Sequence, residues 1–187
     1  MKMRFYILII TLLLALAIRP SFAQGNHFSD GITSVSGGIG MGAFLFYFPF
    51  QNYTPTPTLS IEHAMSKFGN GEMGLGFVSG FRKLDVRYRN TPAVWSQYVA
   101  GATLSYYPDA LQGDTSDLYV AGHGGVAYNQ YSDPKDILDN AYKNHMGIYL
   151  ALVAGGRYYL TNNIAVFGEA GIDLDWVKVG LNFRLPG

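Results

Sequence analysis

The chain has 187 residues, so one domain is the first expectation, and it carries 13 Lys+Arg against 13 Asp+Glu for a formal net charge of zero. That balance leaves no global field to attract nucleic acid, and the absence of Cys excludes disulfides, thiolate metal sites, Cys nucleophiles and a lipidated Cys after a leader. Only 14% of residues are charged, while aromatics reach 15%, with 14 Tyr, 12 Phe and 23 Gly. Such a composition suits a sheet with one face in lipid, although an all-β soluble domain shares much of it.

The N-terminus is more specific. Lys2 and Arg4 precede the apolar run from Phe5 to Ile18, followed by Arg19, Pro20 and Ser21-Phe22-Ala23. This is a charged region, a hydrophobic region and a small-x-small cleavage site. A signal peptide over residues 1–23 is expected, with cleavage after Ala23 and a barrel domain over residues 24–187. The alternative, an uncleaved anchor, is disfavoured because the run is shorter than the ~20 residues a spanning helix needs. No later segment is a long apolar run, so a membrane-embedded mature chain has to be a barrel.

Residues 24–31 read as a polar periplasmic lead-in. The first strand is predicted over residues 32–48, with Val35, Ile39 and Met41 on one face and Ser34, Ser36, Gly38 and Gly40 on the other. An apolar outer face over a small, polar inner face fits a transmembrane barrel, and a soluble ligand carrier would reverse it. Residues 49–57 read as a loop because of their prolines. The second strand, residues 58–68, places Leu59, Ile61 and Met65 outward and Ser60, Glu62, Ala64 and Ser66 inward; His63 is a blemish on the apolar face. A tight turn at Gly69-Asn70-Gly71 leads to the third strand, residues 72–83, with Gly74, Gly76, Val78, Gly80 and Arg82 inward. Residues 84–92 carry clustered charge and read as a loop flanked by extended strand ends.

The fourth strand spans residues 93–107, with Gln97, Gly101, Thr103 and Ser105 inward, and residues 108–116 form a longer turn. The fifth spans 117–131, with Tyr119, Ala121, His123, Ala127 and Asn129 inward. Residues 132–144 make the largest polar loop. The last three strands fill His145 to Leu185, separated by Thr161-Asn162-Asn163 and by residues 173–175. They are Gly-rich and β-branched, and they alternate as consecutive hairpins do. Glu169 and Asp173 face inward, as do Trp176, Lys178, Asn182 and Arg184. Eight strands is the even number that a closed antiparallel barrel with both ends on one side requires. The tight turns are expected in the periplasm and the long loops outside. Aromatics near strand ends (Phe44 to Phe50, Trp95, Tyr106, Tyr107, Tyr158, Tyr159 and Trp176) are expected to form interfacial belts. The fold class expected is therefore all-β, an eight-stranded antiparallel up-and-down transmembrane β-barrel.

The stretches LSIEHAMSKFGNGEMGLGFVSGF, DLYVAGHGGVAYN and GGRYYLTNNIAVFGEAGIDLDWVKVGLNFRL resemble the small outer-membrane β-barrel proteins of Bacteroidetes-type bacteria, which are akin in form to OmpA-type and opacity-type barrels. The resemblance implies location in the outer membrane and no catalytic residues. It departs at the C-terminus. Such barrels usually end on an aromatic residue read by the barrel-assembly machinery, whereas here Arg184, Leu185, Pro186 and Gly187 follow Phe183, the residue taken as its equivalent.

The polar cluster that stands out is inward-facing Arg157, Glu169 and Lys178. Arg157 and Glu169 are expected to meet across the Thr161 to Asn163 turn, Glu169 and Lys178 across the next hairpin, and Glu62 and Arg82 as a second pair. An eight-stranded lumen is narrow enough to be filled by side chains, so a structural network is the first reading and a gated conduction path the second. Lumenal His123, with Ser132 or Ser105, raises a lipid-A-modifying hydrolase as a third reading. Asp133, Asp136 and Asp139 lack the spacing of a calcium loop. The pairs Gly37-Gly38, Gly124-Gly125 and Gly155-Gly156 lack the context of a phosphate loop and are read as relieving crowding and permitting curvature. The function expected is non-enzymatic: structural support of the outer membrane, or surface interaction through residues 49–57, 84–92 and 132–144. No cofactor, metal or nucleic acid is expected, and no peptidoglycan-binding segment. The partners expected are outer-membrane lipid and lipopolysaccharide, the barrel-assembly machinery and a surface ligand on the loops, with the chain monomeric.

Overall fold

In the computed structural model, which describes residues 28, 31–42, 52–88, 91–132 and 144–185, eight long strands follow one another along the chain. They are β1 (Thr33–Met41), β2 (Thr56–Lys67), β3 (Gly71–Tyr88), β4 (Thr91–Pro108), β5 (Ser116–Ser132), β6 (Asn144–Tyr159), β7 (Ile164–Ile172) and β8 (Val177–Leu185). Each pairs antiparallel with its chain neighbours. β1 also pairs with β8, from Thr33↔Leu185 to Met41↔Val177, so the sheet closes on itself. Closure leaves no edge strand to be covered. This is the expected eight-stranded up-and-down β-barrel. The expected signal peptide, and the segments at 43–51, 133–143 and 186–187, lie outside the described residues.

The alternation read from the sequence holds along most of the wall. Ile39, Leu59, Phe77, Leu104, Val126, Leu150 and Val179 are exposed on the outside, and Ser36, Glu62, Arg82, Thr103, His123, Arg157 and Lys178 are buried inside. The blemish at His63 has a local explanation. It is exposed at the end of the barrel where β1 begins, and its Nδ1 lies 2.9 Å from Thr33 Oγ1.

Several expectations are corrected. Residues 84–88 and 91–92, read as part of a loop over 84–92, are strand, because β3 and β4 pair without a break to Tyr88↔Thr91. Charge on Lys83 and Asp85 marks the solvent side of a strand, while Leu84 between them is fully buried. Pro57 lies within β2 opposite Ile39, and the ladder on its other side starts one residue later at Thr58↔Gly80, so no bond to β3 is lost there. Ser66 is exposed rather than inward, because a bulge between Ala64 and Ser66 shifts the register and reverses the parity. Trp176 is also exposed, at 40%, because it belongs to the turn before β8, where strand alternation has not yet begun. Tyr107 and Tyr159 are wholly buried and Trp95 nearly so, which places these three inside the barrel rather than in an interfacial belt.

The connections after β2, β4 and β6, with the start of β1 and the end of β8, define one end of the barrel, the turn end. The other connections define the loop end. β3 and β4 have 18 residues each, β5 has 17 and β6 has 16, against 9 in each of β1, β7 and β8. The wall therefore stands higher on the β3–β6 side.

Candidate functional site

Among the described residues the buried polar side chains gather in the lumen, and two networks fill it. At the turn end Arg157 donates from Nη2 to Glu62 Oε2 at 2.6 Å, and the Tyr107 hydroxyl donates to the same oxygen at 2.8 Å. The guanidinium lies about 5 Å from three ring centroids, those of Phe28 (5.1 Å), Tyr107 (5.3 Å) and Tyr119 (5.0 Å). Aromatic faces are attractive to a cation and cover it from water. Beside this cage, Asp117 Oδ2 accepts from the Tyr159 hydroxyl (2.5 Å), the Phe28 amide (3.1 Å) and Arg184 Nη2 (3.4 Å). The Arg184 guanidinium also sits 3.9 Å above the Tyr159 ring.

Phe28 belongs to the segment read as a polar lead-in, yet it is buried at 1% exposure and closes the turn end from inside. The sequence offered one signal for this, a lone large aromatic in an otherwise polar stretch. Small residues on the wall make room for the filling. A Cβ at Gly74 would collide with the Glu62 carboxylate, and one at Gly155 would come within 2.5 Å of the Tyr119 ring. Gly155-Gly156 thus relieves crowding as expected, and Gly38 does so against the Phe167 ring, 2.8 Å from where its Cβ would stand.

At the loop end Lys178 Nζ donates to Glu169 Oε2 at 2.9 Å and to Asp173 Oδ2 at 3.0 Å. Glu169 in turn accepts from the Tyr119 hydroxyl at 2.7 Å, and Asp173 from the Tyr149 hydroxyl at 2.5 Å. The turn carrying Asp173, Leu174 and Asp175 folds into the barrel mouth. Arg82 Nη1 holds the Leu174 carbonyl at 2.5 Å, and Thr56 Oγ1 donates to Asp175 Oδ1 at 3.0 Å. Asp173 lies beyond the end of β7. Burial pushes its carboxyl up. The Lys178 ammonium and hydrogen bonds from Tyr149 and the Leu174 amide more than offset this and hold it below the usual carboxylate range.

The structure places all four lumenal residues singled out above, Arg157, Glu169, Lys178 and His123, inside the barrel, but it pairs them differently. Glu169 and Lys178 face each other in register, as expected. Arg157 does not meet Glu169, because the hairpin register sets Phe167 opposite Arg157 and Gly155 opposite Glu169. Its carboxylate is Glu62, from β2. The expected Glu62–Arg82 pair is likewise replaced, since Arg82 reaches the Leu174 carbonyl and Gln97 Oε1 (2.7 Å). His123 Nδ1 lies 2.9 Å from Thr103 Oγ1, and its ring stacks on Tyr149 with centroids 6.4 Å apart. Among the described residues it has no hydrogen bond to Ser105 or Ser132, the serines a hydrolase reading would need.

No protein-family model matches the chain, and no curated protein does. Three solved structures resemble it in overall form. The attachment invasion locus protein Ail of Yersinia pestis is 15% identical, with 83% of this chain and 95% of that one covered, at a TM-score of 0.44. The outer membrane protein OprG from Pseudomonas aeruginosa is 15% identical, with 87% and 99% covered, at 0.49. The N-terminal β-barrel domain of Pseudomonas aeruginosa OprF is 11% identical, with 83% and 98% covered, at 0.44.

Proposed function

We propose that this chain is a non-enzymatic integral outer-membrane β-barrel protein of the small-barrel type its sequence resembles, exported by a signal peptide cleaved after Ala23. It would support the membrane or present its loops to a surface ligand. The observation that carries the reading is the distribution of polarity around a closed sheet. Apolar side chains such as Leu75, Leu118, Ile148, Leu152 and Leu181 lie exposed on the outside, while the inside holds buried Glu62, Asp117, Arg157 and Lys178. A monomeric soluble protein rarely exposes a contiguous apolar patch larger than a few hundred Å², and a band around a whole barrel is satisfied by lipid. Expressed in a Gram-negative host, the protein should fractionate with outer membranes, begin at Gln24 by mass spectrometry, and migrate differently on a gel when unboiled. Recovery in the soluble periplasmic fraction would overturn the reading.

The filled lumen argues against a conduction role. Phe28, Arg157 and the surrounding tyrosines occupy the turn end, and Leu174 with its neighbouring carboxylates occupies the loop end. In planar bilayers no stable unit conductance is expected. A stable conductance abolished by Glu169→Gln would replace the plugged barrel with a narrow pore. Deletion of residues 133–143, scored for binding to host and bacterial surfaces, tests the interaction role.

A further inference from the structure

We propose that the lumen contains a site for one divalent transition-metal ion, formed by His123, Glu169 and Asp173, in which the Lys178 ammonium is the resident counter-cation that the ion replaces. Residues from β5, from β7 and from the turn after β7 each offer one ligand atom, and the three atoms lie within 4.8 Å of one another. An ion bound at about 2.0–2.2 Å from N and O donors sets those donors roughly 3.0–3.5 Å apart. Small side-chain rotations within the lumen close that difference.

A second feature points to a ligand independently of the carboxylates. His123 is 7% exposed, and its Nε2 has no hydrogen-bond partner among the described residues. An imidazole nitrogen buried without a partner carries a desolvation cost that metal ligation removes. The other ring nitrogen is already engaged by Thr103 Oγ1 at 2.9 Å. That contact orients the ring and leaves Nε2 as the donor, the arrangement that usually supports a metal-bound histidine. Asp173 is held by Tyr149 and Glu169 by Tyr119, so both carboxylates are oriented by hydrogen bonds of their own.

The donor set of one imidazole and two carboxylates suits Zn²⁺, Fe²⁺ or Mn²⁺ better than the oxygen-preferring Ca²⁺ or Mg²⁺. The two carboxylates match the ion's charge. At present Lys178 supplies a single positive charge between them, 2.9 Å from one and 3.0 Å from the other. Its four-carbon stem lets the ammonium withdraw as the ion enters. Wild-type affinity is therefore held below that of a chain lacking the ammonium.

The test uses the tag-free barrel folded in detergent, with Zn²⁺ alone followed by titration calorimetry and Co²⁺ alone by visible absorbance. The wild type should take up one ion per chain, with Co²⁺ bands of nitrogen and oxygen ligation. Affinity should fall at least about tenfold in His123→Ala and in Asp173→Asn, stay unchanged in His63→Ala, and rise at least about tenfold in Lys178→Met. Gel migration of unboiled samples confirms that each variant is folded, and if Lys178→Met does not fold the His123 and Asp173 variants decide alone. No saturable uptake by the wild type at millimolar Zn²⁺ would overturn the proposal. So would uptake that both His123→Ala and Asp173→Asn leave intact.

Discussion

At the turn end of the lumen Arg157 is buried against one carboxylate and three aromatic rings, and the plug comes from Phe28, which precedes β1. At the loop end Lys178 sits between two carboxylates, and the plug is the β7–β8 turn itself. The two cations suit the two settings. A planar, weakly hydrated guanidinium can lie on aromatic faces while making its charged bond in the plane, whereas a compact ammonium needs oxygens around it. The turn end is therefore built for permanence. The loop end rests on carboxylate charge that protonation can alter.

The largest expected effect breaks the turn end. Glu62→Gln leaves Arg157 buried with no ionised partner and should cost about 3–5 kcal/mol, read by urea unfolding in lipid vesicles. Pairing it with Arg157→Met should recover much of that loss; equal stability of the single and double variants would show that the pair is not desolvated. Next comes the plug. Phe28→Ala should cost about 3 kcal/mol, the low end for removing a buried aromatic, because Phe28 lies outside the sheet. An unchanged unfolding midpoint would mean that the segment before β1 does not enter the lumen. The smallest effect separates the two ends by pH. Asp173 has a depressed carboxyl pKa in the folded protein, so its contribution is fully present above the ordinary value of about 3.9 and is lost as pH falls through the folded value. Asp173→Asn should be less stable than the wild type at pH 7 and lose less stability than the wild type on acidification below about pH 4. Parallel acid limbs in the two proteins would remove Asp173 from the loop-end network.

Strand number, order and facing were legible because each depends on neighbouring residues. Val177, Val179, Leu181 and Phe183 alternate with Lys178, Asn182 and Arg184, and a period of two admits a single assignment once one face is apolar. The Glu169–Lys178 pair was legible for the same reason, since only a short turn separates the two residues. The Arg157–Glu62 pair was not, because its partners are 95 residues apart and meet across the lumen. The continuation of β3 over residues 84–88 was not legible, because clustered charge suits a loop as well as the exposed side of a strand, and here it marks the latter. Phe28 gave no periodic signal, being a single residue outside the alternation.

By itself the sequence determined a barrel of eight strands, a lipid-like outside and a polar inside, because alternation and turn chemistry are local properties written residue by residue. Only the tertiary structure decided which charges meet, that Phe28 and Leu174 lie buried at the two ends of the lumen, and that His123, Glu169 and Asp173 bring ligand atoms within 4.8 Å of one another. These facts depend on barrel closure and on the stagger between strands. Closure brings residues from opposite walls within bonding distance, and no spacing along the chain records it.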